Sequence, residues 1–181
     1  IQMAGEAATA GIRMKTTYIG AVQSGDHDGE QVTLKGWVKR TRGNNNLRFI
    51  VLRDSTGTIQ CVVKRDAVGD DVFTALSEAL IESSLELVGE VKVDERAQGG
   101  HEIGVSSGQV IGGVNPERPF PITESAMTAA DGGETEFLLD HRHLYLRTSR
   151  MTTMLQIRSS VFGAIHGYFR DLDFVEYQAP N

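Results

Sequence analysis

The chain has one cysteine, Cys61, in 181 residues. That excludes an intramolecular disulfide and points to a reducing compartment, and the surrounding apolar run makes Cys61 a small core residue. No apolar run approaches the roughly 20 residues a bilayer-spanning helix needs, and Ile1 to Met14 lacks the apolar centre of a secretory signal. A soluble, cytoplasmic protein with no membrane partner is the expectation. Proline is scarce too: of four, Pro116, Pro119 and Pro121 crowd into one stretch and Pro180 stands near the last residue. A fourth scarcity is local. Between Gln31 and Arg53 there is no Asp or Glu, although the chain carries 24 of them and a net charge of −6. Six cations occupy that stretch: Lys35, Lys39, Arg40, Arg42, Arg48 and Arg53. An acidic protein that gathers cations beside an aromatic is expected to meet a polyanion there.

At 40% hydrophobic residues, the chain has enough apolar material for one substantial core, or for a small domain with part of another. The patterning favours the second. Residues 1 to 13 are rich in Ala and Gly without a period, and read as a flexible leader or as sequence upstream of a start at Met14. Val32 to Arg40 alternates as a strand, and Gly43-Asn44-Asn45-Asn46 supplies a turn. Leu47 to Arg53 returns, Asp54-Ser55-Thr56-Gly57 connects, and Thr58 to Lys64 makes a third strand. Asp70-Asp71 opens a short helix with Val72, Phe73, Leu76 and Leu80 near helical spacing. Ser83 to Asp94, irregular at Gly89, and His101 to Ile111 are the fourth and fifth strands, joined by Gln98-Gly99-Gly100. This order is that of a five-stranded OB-fold barrel, whose second and third strands form the binding face.

On those two strands, Phe49 and Gln60 stand eleven positions apart. Period two puts Ile50 and Leu52, with Arg48, on one face and Phe49, Val51 and Arg53 on the other; Ile59, Cys61 and Val63 likewise oppose Gln60 and Val62. With the Ile and Leu side inward, Phe49 and Gln60 point outward. The site reads as a single-stranded nucleic-acid surface, with Phe49 stacking a base and Arg40 and Arg42 favoured at phosphates. Lys35 and Lys39 stay undecided, and Trp37 is expected in the core.

Gly112 to Gly133 has the composition of a linker. Beyond it, Thr148 or Ser149 is placed as N-cap of a long amphipathic helix through Leu172. Phe174 to Tyr177 reads as the start of a strand ending at Pro180. His141 and His143 have no second ligand pair nearby, so a structural role is expected and no metal is assigned.

Several segments, taken in order, carry a resemblance: Val32-Thr33-Leu34-Lys35-Gly36-Trp37-Val38, Phe49-Ile50-Val51-Leu52-Arg53-Asp54, Gly57-Thr58-Ile59-Gln60, Asp94 to Glu102, and Phe137 to Arg147. The series resembles asparaginyl-tRNA synthetases, of class IIb. The resemblance implies an N-terminal OB-fold that reads the anticodon and a C-terminal catalytic domain. By resemblance, Phe49 stacks on the central anticodon uridine, Gln60 hydrogen-bonds it, and Arg42 and Glu102 lie at the same site; Arg40 and Arg48 complete the candidate tRNA-contacting set. Phe174, Val175 and Pro180 are similar to motif 1, which builds a dimer interface.

The fold class expected is therefore mainly β: residues 1–15 a leader, 16–112 an OB-fold barrel with a short helix, 113–136 a hinge, and 137–181 a long helix opening an incomplete α+β class II domain. The expected partner is tRNA-Asn with anticodon GUU, and the complete parent would be a homodimer using ATP and Mg. Motifs 2 and 3 would lie beyond Asn181. The 181 residues are accordingly expected to bind no cofactor and activate no asparagine alone, and no catalytic residue is named. An aspartyl or non-discriminating enzyme, or a stand-alone single-strand-binding module, are the alternatives; the segment His143 to Arg147 looks like the asparaginyl branch.

Overall fold

The computed structural model describes residues 17–122 and 133–177. It divides into two compact units, Ile1–Phe120 and Pro121–Asn181. The proposed leader, residues 123–132 of the hinge and Pro180 lie outside the described residues.

The first unit is a closed barrel. Its strands are β1 (Gln31–Gly43), β2 (Leu47–Arg53), β3 (Thr58–Lys64), β4 (Ser84–Val93) and β5 (His101–Gly112), in the order β1-β2-β3-β5-β4. The 13-residue β1 pairs with β4 through its first half and with β2 through its second, which closes the sheet. Of the barrel's strand pairs, only β3 with β5 is parallel. Alternation fills the interior: Val32, Leu34, Val38, Ile50, Leu52, Ile59, Cys61, Val63, Leu85, Leu87, Val91 and Ile103 are all buried. Each such burial contributes about 1.5–3 kcal/mol against the chain entropy lost. The predicted irregularity at Gly89 is a register shift between Val88 and Gly89.

Three short helices serve the barrel. Between β3 and β4, α2 (Arg65–Val68) and α3 (Asp70–Glu78) follow one another, and α3 lays Phe73 and Leu76 on the core with Asp70 and Asp71 in its first turn. Before β1, α1 (Ile19–Gln23) fully buries Ile19 and Val22. Its Ile19 N–H donates to Asp54 Oδ2 at 2.9 Å and its Gly20 N–H to Thr56 Oγ1 at 2.9 Å, so the β2–β3 turn caps it. Neither α1 nor α2 spans enough residues to print a helical period in the sequence.

Two expectations need correcting. Trp37 is not in the core; it is 42% exposed. It sits on β1 between buried Gly36 and buried Val38, opposite Arg53 on the outer face, so strand alternation outweighs its apolar bulk. In the second unit, α4 (Gly133–Asp140), α5 (Arg142–Tyr145) and α6 (Ser149–Asp171) are consecutive, with Thr148 as the N-cap of α6 accepting from the Met151 N–H. Phe174–Tyr177 then forms no strand. Asp173 at φ +61° turns the chain, Phe174 packs edge-on against Phe169 at 5.5 Å, and Glu176 pairs with Arg170 at 2.6 Å. Without a neighbouring strand among the described residues, those local contacts decide its path.

Candidate nucleic-acid interface

Strict alternation through β1 would place Arg40 and Arg42 on the same face as buried Val38. The ladder prevents this. Val38 stands opposite Leu52 but Arg40 opposite Val51, so Lys39 is an extra residue and the phase inverts. After the bulge, Arg40 and Arg42 share the outer face with Val51 and Phe49.

Two rows of side chains result on the outer face. One runs Arg40, Val51, Gln60, Glu102 across β1, β2, β3 and β5; the next runs Arg42, Phe49, Val62, Gly104. Phe49 and Gln60 are half-buried, diagonal neighbours on adjacent strands. The Arg42 guanidinium lies 5.1 Å from the Phe49 ring centroid and donates through Nη2 to Gln60 Oε1 at 3.4 Å. Gln60 Nε2 in turn donates to Glu102 Oε2 at 3.3 Å. The cleft is lined by Arg40, Arg42, Phe49, Val51, Thr58, Ile59, Gln60 and Gln98.

Of the candidate residues, the fold brings Phe49, Gln60, Arg40, Arg42 and Glu102 together. Arg48 stands apart from them. It shares the parity of Ile50 and Leu52, sits opposite Gly43 and has its Nε buried without a hydrogen-bond partner. The six cations of the acid-free run also divide. Lys35 pairs with Glu86 at 3.0 Å and Arg53 with Glu82 at 2.9 Å, acids brought by later segments. Among the described residues, no ion pair engages Arg40 or Arg42.

Gln98, legible in the sequence only as a turn residue, also lines the cleft. It reaches the cleft from the β4–β5 turn, where Gly99 (φ +86°) and Gly100 (φ +75°) take a backbone form that side chains resist. His101 holds that turn, with Nδ1 at 3.0 Å from the Gly99 carbonyl and Nε2 at 2.9 Å from Asp28 Oδ1. Beneath the cleft, burial and the nearby Glu102 charge push the Cys61 thiol from 9.0 up to about 12, so it stays protonated. An aromatic surface, a carboxamide with spare donor and acceptor capacity, and two cations are the components of a site for an unpaired base and its phosphates.

Residues 32–111 match the family described as OB-fold nucleic acid binding domain, and the closed five-stranded barrel has the fold of that class. Over more of the chain the similarity narrows. The asparagine–tRNA ligase of Thermoplasma acidophilum is 38% identical over 162 residues, covering 90% of this chain and 35% of the relative. That of a Roseiflexus species is 39% identical over 154 residues, covering 85% and 33%. The crystal structure of asparaginyl-tRNA synthetase from Pyrococcus horikoshii complexed with asparaginyl-adenylate matches with a TM-score of 0.75 at 34% identity, over 86% of this chain and 34% of that one. The chain is thus similar to asparagine–tRNA ligases over most of its own length, and it spans about a third of theirs.

Proposed function

We propose that the barrel recognises the anticodon of tRNA-Asn, GUU, with Phe49 stacking the central uridine and Gln60 hydrogen-bonding its edge. Arg40 holds backbone phosphate, and Arg42 both supports Gln60 and adds positive charge. The observation that carries this reading is the convergence of Phe49, Gln60, Arg40 and Arg42 on one outer-face cleft, made possible by the Lys39 bulge. Its test is a gel-shift comparison of transcribed tRNA-Asn with a generic oligopyrimidine. Tighter binding of the tRNA is expected. Equal binding of the two would replace this reading with a general single-strand-binding module.

The parent reaction proposed is ATP-dependent attachment of asparagine to tRNA-Asn in a cytoplasmic homodimer, with Phe174, Val175 and Pro180 at the dimer interface. Asparagine rather than aspartate is favoured by the 38% and 39% identities to asparagine–tRNA ligases. ATP and Mg are proposed for the complete parent, and residues 1–181 by themselves are proposed to bind without charging. Among the described residues, no group of three or more His, Cys, Asp or Glu side chains is placed to hold a metal ion, and no helix is long and apolar enough to cross a membrane.

A further inference from the structure

The two polar neighbours of Gln60 differ in kind. Arg42 offers only donors and the Glu102 carboxylate only acceptors. With Arg42 Nη2 at 3.4 Å from Oε1 and Glu102 Oε2 at 3.3 Å from Nε2, the carboxamide has one orientation that satisfies both. Turned by 180°, it would set its N–H groups against a guanidinium and its oxygen against a carboxylate, and both contacts would become repulsive. Glu102 reaches this position through the parallel β3–β5 register, which sets it directly opposite Gln60.

That orientation has a consequence for base choice. Uracil presents an acceptor, O4, beside a donor, N3–H; cytosine presents a donor, the N4 amino group, beside an acceptor, N3. A carboxamide approaching that edge matches uracil in one orientation and cytosine in the other. We infer that Glu102 is a positioning residue: together with Arg42 it locks the Gln60 carboxamide in the uracil-reading orientation and so rejects cytosine at the middle anticodon position. Gln60 retains one N–H on Nε2 and one lone pair on Oε1 for the base. This inference rests on the proposal that Gln60 reads that base.

The test compares dissociation constants of the 181-residue chain for two anticodon stem-loop RNAs that differ only in U or C at the middle position. For the unaltered chain, U is expected to be favoured by about tenfold or more, the scale of a two-bond base contact. Glu102→Gln offers either a donor or an acceptor to Gln60, so one side of the lock is released and only Arg42 still orients the carboxamide. Its preference is expected to fall at least about threefold, with the C loop gaining affinity as the U loop loses it. Arg42→Met releases the other side and should lower the preference likewise, and the double variant should bring it to within about twofold. An undiminished preference in a Glu102→Gln chain whose thermal melt shows it folded would overturn the inference. Gln60→Ala separates the two levels. If it abolishes the preference while Glu102→Gln keeps it, base reading by Gln60 stands and the lock is wrong; if neither variant alters it, both fall.

Discussion

Phe49 is the residue on which affinity should depend most. Its ring lies half-buried between the Arg42 guanidinium and the cleft, and base stacking on an aromatic is worth about 1–3 kcal/mol. Phe49→Ala should therefore weaken binding of a GUU anticodon stem-loop by roughly five- to 150-fold in a fluorescence anisotropy titration, while Phe49→Tyr retains most of it. Unchanged affinity in the alanine variant would remove Phe49 from the site. Cys61 makes a different prediction, about stability. Its folded value of about 12 lies above the ordinary 9.0, so the folded state keeps a proton that the unfolded state releases. The stabilising contribution is complete below pH 9 and is lost as pH rises from there toward 12, at up to about 1.4 kcal/mol per pH unit. Urea midpoints measured from pH 8 to 10.5 should fall more steeply for the native chain than for Cys61→Ala; equal slopes would contradict this. Phe49 and Gln60 were legible because strand parity and an eleven-residue offset are local signals. The partnership of Gln60 with Glu102, 42 residues away, is a property of the β3–β5 register and leaves no local trace.

Among the elements, β1 carries most of the design. Its first half closes the barrel against β4, and its second half, rephased by the bulge at Lys39, presents Arg40 and Arg42 beside Phe49. Strand existence could be read from alternation, but a single extra residue is invisible to it. Period two carried past Val38 would bury the two arginines. The same strand needs Gly36, because a Cβ there would run into the Arg53 carbonyl oxygen and crowd Leu52 Cγ at 3.0 Å. Backbone cannot yield as a flexible side chain can. Gly36→Ala should cost about 1–3 kcal/mol in urea unfolding, and a loss below the error of the measurement would show that β1 and β2 separate more easily than their pairing indicates. The missed helices α1 and α2 have five and four residues. What holds α1 is tertiary, the Asp54 and Thr56 side chains and its two buried residues, so no periodicity could have announced it.

For the whole molecule, the net charge of −6 opposes association with RNA, so binding must be driven from one face. Arg40 and Arg42 lie on that face, just after the bulge at Lys39 in β1, while Lys35 and Arg53 are neutralised by Glu86 and Glu82. With about two phosphates engaged, by Arg40 and Arg42, the logarithm of affinity should fall against the logarithm of salt with a slope of about −1.4. A slope near zero would mean that the cations face solvent only. Elsewhere, α6 exposes Met154, Leu155, Ile157, Val161, Phe162, Ile165 and Phe169, an apolar surface in keeping with the dimer proposed for the complete parent. The most direct measurement remains calorimetric titration of the chain with two anticodon stem-loops, GUU and the same loop with its central U replaced by A. A clear loss of affinity, about tenfold or more, is expected when that one base is changed; equal dissociation constants for both loops would remove Phe49 and Gln60 from the recognition of the central base.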